Sequence, residues 1–105
     1  MLNTLEKLKR LEAYVAADSV IADSVLDKTL TKFLAREQMR MQQLTQRLQR
    51  ELKQFEQTYH LLSQEFYTRY NQGKMGDEMD FIEWAATLEM LTNAEKRMAL
   101  LDIVQ

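Results

Sequence analysis

Asp77, Glu78, Asp80 and Glu83 form the densest group of chemically capable side chains in this 105-residue sequence. Clustered carboxylates are hard oxygen ligands for divalent cations, and each can raise the pKa of another into acid–base use. Their spacing favours neither role. A calcium loop needs oxygen ligands at alternating positions over about twelve residues with a closing glutamate, whereas this segment reads as helix almost at once. A di-iron bundle needs Glu-x-x-His pairs, and the single histidine, His60, has Gln57 three residues before it. Without cysteine there is no thiol nucleophile or disulfide, and one histidine cannot furnish a triad or a multi-histidine metal site. No catalytic, cofactor-binding or metal-binding residue is expected, and the chain reads as a non-enzyme. The acids suit the positive end of a helix dipole, and His60 suits a helix C-terminus.

Binding chemistry is better represented. Projected on a helix, Lys32, Arg36, Arg40, Arg47 and Arg50 fall within roughly 80° of one another, a basic face that could track phosphates or receive an acidic partner. The competing reading is a solvated face padded by Gln38, Gln42, Gln43, Gln46 and Gln49. It is favoured because no aromatic residues interleave with the basic ones and the sequence pI is about 5.4. Charge is nevertheless uneven: residues 28–55 hold seven basic and two acidic side chains, residues 77–105 two basic and seven acidic. The seven methionines could form an adaptable surface, although those within an apolar stripe read as core. Trp84, close behind two glycines, either fixes the loop to a long helix or anchors an interface, and the intramolecular role is preferred.

The elements that carry these residues must be helices. With no proline and only Gly73 and Gly76, the chain lacks the turn formers that a sheet needs. Leu2, Leu5, Leu8, Leu11 and Val15 recur every three or four residues behind an Asn3–Glu6 capping box, which predicts a helix over about 4–17. Ala-Asp-Ser-Val occurs at 17–20 and again at 22–25, placing a break there with Asp23 as the next cap. From Leu26 through Leu30, Phe33, Met41, Leu44, Leu48, Leu52, Phe55, Tyr59, Leu62, Phe66 and Tyr70 runs one apolar stripe, about 3.6 residues per step from Met41 to Tyr70. That period belongs to a straight helix rather than a leucine zipper. Ser63 is a plausible new N-cap, so a break is expected near His60. Gly73 and Gly76 make the one clear loop, after which Asp77 should cap the last helix. The expected architecture is all-α, one domain over 1–105 with helices at about 4–17, 24–59, 63–72 and 78–101. A long amphipathic helix would be flanked by a shorter N-terminal helix and a C-terminal helix after the Gly loop, as a coiled-coil-like hairpin. Phe66, Tyr70, Phe81 and Trp84 should pack on one another across that loop. No apolar run approaches the roughly 18 residues of a membrane span, and Met1–Lys9 lacks a signal peptide's pattern, so a cytoplasmic protein without membrane contact is expected. A stripe that cannot bury itself implies a dimer or higher oligomer.

The segment Ser63–Trp84 resembles a family of small helical prokaryotic proteins that look like antitoxin components of two-gene toxin–antitoxin modules. The family pattern is S-x-E-F-Y-x-[RK]-[FY]-x-x-G-x-[LM]-G-D-x-x-D-F-x-E-W. It is matched by Ser63, Glu65, Phe66, Tyr67, Arg69, Tyr70, Gly73, Met75, Gly76, Asp77, Asp80, Phe81, Glu83 and Trp84. Upstream, Thr29, Leu30 and Lys32 resemble the family's second element. This chain has Ser24 where relatives often have proline, and His60 where they often have glycine. The resemblance implies a cytosolic, non-enzymatic protein that binds and neutralises a small toxin. A toxin acting on RNA tends to be basic, and the acidic C-terminal segment would complement it. The residues expected to meet such a partner are Asp77, Glu78, Asp80 and Glu83 with Ile82 and Met90. The alternatives are a homodimeric scaffold pairing through the 26–70 stripe, and weak nucleic-acid binding through the basic face.

Overall fold

The computed structural model of the protein describes residues 1–17 and 24–102. It is all-α: α1 (Thr4–Ala17), α2 (Ser24–Tyr59), α3 (Ser63–Asn71) and α4 (Met79–Leu100). The expected break around 17–25, with Asp23 as cap, falls mostly outside the described residues. The chain divides into two compact units, Met1–Ala35 and Arg36–Gln105, and α2 runs through both. Every buried residue among those described lies in the second unit, from Met41 to Ala94. In the first unit, Asn3 Oδ1 accepts the Glu6 backbone N–H at 2.8 Å, capping α1 as its sequence indicates.

The second unit is a helical hairpin of α2 and α4 whose connection carries α3. The α2 residues facing the core are Gln38, Met41, Thr45, Leu48, Leu52, Phe55 and Tyr59, all buried or half-buried. Their steps alternate three and four, the heptad rhythm of a left-handed coiled coil. This corrects the straight-helix reading of the stripe. That reading passed over Gln38 and Thr45, because they are polar, and counted Leu62, Phe66 and Tyr70, which lie beyond a break.

The α4 row is its mirror: Asp80, Trp84, Thr87, Leu91, Ala94, Met98 and Leu101. Three direct contacts set the antiparallel register. Gln38 Nε2 donates to the Leu101 carbonyl at 2.6 Å, the Phe55 and Trp84 rings stack at 5.5 Å, and the Tyr59 hydroxyl donates to the Asp80 carboxylate. Equal spacing on both helices carries this register through the layers between, where Met41, Leu48 and Ala94 form one buried cluster with Leu91 and Met98 against it.

α4 is apolar on two faces because it has two neighbours. Phe81, Ala85 and Leu88 adjoin the coiled-coil row and share a cluster with Phe66 of α3. The Phe66 and Trp84 rings are nearly parallel, 3.9 Å apart and 3° from coplanar, and neither residue is exposed. The indole is thus held between Phe55 and Phe66, and its Nε1–H donates to Ser63 Oγ at 3.0 Å. A buried indole needs such a partner.

Two chain reversals make this packing possible. α2 ends at Tyr59 with His60 in the left-handed region at φ 51°, and the Leu61 N–H reaches back to the Glu56 carbonyl at 3.3 Å. This is the six-to-one bond of a Schellman motif. α3 closes the same way at Gly73, φ 73°, with the Lys74 N–H on the Arg69 carbonyl at 2.9 Å and the Gly73 N–H on Tyr70 at 3.0 Å.

The caps expected at Ser63 and Asp77 are corrected. Ser63 is the first residue of α3 rather than its cap. Leu62 holds the extended cap position without a side-chain bond, because the Ser63 hydroxyl is engaged by Trp84 and Glu56 Oε2 accepts the Ser63 N–H at 2.9 Å. Asp77 does not cap α4. Glu78, still extended at ψ 147°, is the boundary residue, and its carbonyl accepts the first N–H groups of the helix.

Trp84→Ala is expected to lower stability by about 3 to 5 kcal/mol in denaturant unfolding followed by circular dichroism, the cost of an unfilled aromatic site. A loss below about 1 kcal/mol would contradict the burial. His60→Gly is expected to raise stability by about 0.5 to 1 kcal/mol, because glycine adopts positive φ without the strain of a Cβ. An unchanged or lower midpoint would contradict the left-handed turn.

Candidate functional site

The first turns of α4 carry the acidic residues, and the hairpin beneath them decides which way each points. Phe81, Trp84, Ala85 and Leu88 are committed to the core. At 100° per residue, Met79, Ile82, Ala86 and Met90 then share the opposite, outward face. Met79 is 67% exposed, Ile82 43% and Met90 48%. Asp77, Glu78, Asp80 and Glu83 are also exposed and surround the near end of this strip. The expected partner-facing residues therefore lie on one short stretch of surface.

Their roles differ. Asp80 belongs to the hairpin seam: its carboxylate accepts the Tyr59 hydroxyl, and Tyr59 itself packs on Phe81 at 5.1 Å and Trp84 at 5.8 Å. That hydrogen bond, with a smaller contribution from removal from water and the charges of Asp80 and Glu78, pushes the Tyr59 phenol from 10.0 up to about 12. Glu83 lines, with Glu51, Gln54, Phe55, Thr58, Tyr59, Asp80 and Thr87, an open cleft between α2 and α4. Three carboxylates therefore border one groove, although among the described residues no three acidic or histidine side chains are placed to hold a metal ion.

The aromatic residues expected around the glycine loop meet as a cluster. Phe66 lies 5.5 Å from Tyr70, 5.8 Å from Phe81 and 3.9 Å from Trp84. Gly73 and Gly76 both have positive φ, 73° and 81°. Trp84 is wholly inside and so presents nothing to a partner.

Sequence reasoning missed Tyr59, Ser63, Glu56 and Glu51 as parts of this region. Tyr59 could have been found by pairing the two heptad rows, which sets Tyr59 opposite Asp80 and Phe55 opposite Trp84.

The basic face is less open than its charge suggests. In the second unit Arg40 pairs with Glu37 at 2.9 Å and Arg47 approaches Glu51 at 3.8 Å, both within exposed helix turns. Arg36 and Arg50 are exposed there, and Lys32 is exposed in the first unit. Comparison of the chain with protein-family models, with curated proteins and with solved structures gives no match. No helix among the described residues is long and apolar enough to cross a membrane.

The Tyr59–Asp80 bond gives a pH-dependent stability term whose sign is fixed. The folded phenol ionises near pH 12 and the unfolded one near 10. The stabilisation is therefore complete below pH 10 and is lost as pH rises through 12. The stability gap between the wild type and Tyr59→Phe, measured by urea unfolding from about pH 9 to 12, should narrow across that window. A gap constant with pH would contradict the bond.

Proposed function

We propose that this protein is a non-enzymatic, cytosolic antitoxin-like protein that binds and neutralises a small basic toxin through the start of α4. The observation that carries the reading is the exposed Met79–Ile82–Met90 strip on a helix whose other faces are filled, bordered by Asp77, Glu78 and Glu83. Exposed apolar side chains ringed by one sign of charge are the anatomy of a protein-binding surface: the charge speeds encounter and the apolar centre holds the complex. The resemblance of Ser63–Trp84 to the antitoxin-like pattern supports the same region, since the pattern's aromatic residues build the support for this strip and its acids Asp77 and Glu83 border it.

The geometry lends less to the alternatives. Ion pairs within α2 already draw on Arg40 and Arg47, leaving a thinner basic track for nucleic acid. The part of the apolar stripe from Met41 to Tyr59 is occupied by α4, so that stretch offers no seam for a scaffold dimer.

The test is co-expression with the product of the adjacent gene, followed by association kinetics on the purified pair. Glu78→Lys with Glu83→Lys should slow association about tenfold at low salt, with the difference shrinking as salt rises. Asp80 is spared because it holds the hairpin. Ile82→Ala or Met90→Ala should leave association nearly unchanged and speed release about five- to thirtyfold. No co-purifying partner, or association insensitive to both charge reversal and salt, would overturn the proposal.

A further inference from the structure

The chain contains seven methionines and no cysteine, so all of its sulfur is thioether. The fold sorts those seven by their access to solvent. Met41 is only 8% exposed inside the α2–α4 seam, and Met75 and Met98 are half-buried against the two core clusters. Met79 and Met90 on α4 are 67% and 48% exposed, Met39 on α2 is 55% exposed, and Met1 is exposed as well. Eleven residues, about three helical turns, separate Met79 from Met90, which puts both thioethers on one face with Ile82 between them. Two of the three large apolar side chains of the outward strip are therefore open to an oxidant. The buried residues of the cluster beneath them, Leu52, Phe66, Phe81, Trp84, Ala85 and Leu88, include no methionine.

We propose that Met79 and Met90 form a reversible oxidation site for hydroperoxides, and that their conversion to sulfoxides turns the outward strip of α4 from apolar to polar while the hairpin stays folded. The inference deepens the reading of this strip as a partner-binding surface, and its consequence for a partner rests on that reading.

The chemistry is self-contained once the oxidant is hydrogen peroxide. A thioether lone pair attacks one peroxide oxygen, the S–O bond forms as the O–O bond breaks, and the departing hydroxide takes the proton from the attacking oxygen and leaves as water. Sulfur loses two electrons and the peroxide gains them. The Glu78 and Glu83 carboxylates that border the strip do not repel an uncharged oxidant. A thiol-dependent sulfoxide reductase reverses the step, with two thiols closing to a disulfide and the oxygen leaving as water. The sulfoxide dipole is well hydrated, and it loses that hydration when a partner covers it. Two such groups in place of two thioethers remove the apolar centre of the surface and leave only Ile82 and Ala86 between them.

The full-length chain treated with dilute hydrogen peroxide and followed by peptide mass spectrometry should oxidise at Met79 and Met90 about tenfold faster than at Met41. Helical circular dichroism and the urea midpoint should be retained. Retention on a hydrophobic-interaction column should fall with the conversion and return after treatment with the two epimer-specific sulfoxide reductases. Met79→Leu with Met90→Leu should abolish most of that shift, whereas Met39→Leu should keep it. On a purified complex, the oxidised chain should release its partner about tenfold faster, and the double leucine variant should not respond to peroxide. Oxidation at Met79 and Met90 no faster than at Met41, loss of helix in step with it, or a retention shift that the double leucine variant keeps would each overturn the proposal, with or without a partner. A partner released at the same rate before and after oxidation would overturn it and leave the binding surface standing. Absence of any partner would overturn the binding reading alone, and column retention would still decide the oxidation site.

Discussion

The indole of Trp84, closed between the rings of Phe55 and Phe66 with its N–H on the Ser63 hydroxyl, is the point on which the second unit depends. It joins α2, α3 and α4 at once. Each ring contact adds about 0.5 to 1.5 kcal/mol beyond the area removed from water. The hydrogen bond matters for a different reason, because an indole N–H buried without an acceptor would cost on the order of 1 to 3 kcal/mol. The requirement reaches into the backbone. Ser63 must sit at the start of α3 with its hydroxyl turned inward, so it cannot cap that helix, and the Glu56 carboxylate satisfies its N–H instead. α2 must stop early enough to bring α3 across the hairpin, which is why His60 accepts a left-handed conformation that side chains other than glycine seldom adopt.

From that point the register propagates in both directions. Phe55 opposite Trp84 places Tyr59 opposite Asp80 at one end and Gln38 opposite the Leu101 carbonyl at the other. The polar groups at the two ends are a means of fixing alignment. A slip by one heptad would leave the Tyr59 hydroxyl and the last carbonyls of α4 without these partners, and it would move the indole off Phe55. The proposed binding surface is a by-product of the same geometry: with two faces of α4 filled, Met79, Ile82 and Met90 are what remains outside.

Much of this was legible in the sequence. The start of α1, the break at His60, the loop at Gly73 and the grouping of Phe66, Tyr70, Phe81 and Trp84 follow from local rules of capping, turn chemistry and aromatic spacing. The period of α2 was not, because a hydrophobicity pattern omits Thr45 and Gln38, polar residues that lie in the seam. The caps at Ser63 and Asp77 were misjudged for a related reason. A side chain's local capping preference gives way when a distant group, the Trp84 indole, needs the same oxygen, or when the helix begins later, as it does after Glu78. The division at Ala35 leaves no mark in composition, since residues 26–34 continue the same apolar rhythm as residues 41–59.

The antiparallel seam has its register set at Trp84, and nuclear Overhauser contacts between side chains test it most directly. Cross-peaks are expected from the Trp84 ring protons to both Phe55 and Phe66, from the Thr45 methyl to Ala94, and from Leu48 to Leu91. The indole N–H should exchange slowly. Contacts from Thr45 to Thr87 or Leu101 in place of Ala94, or an indole N–H that exchanges as fast as a solvated one, would contradict it.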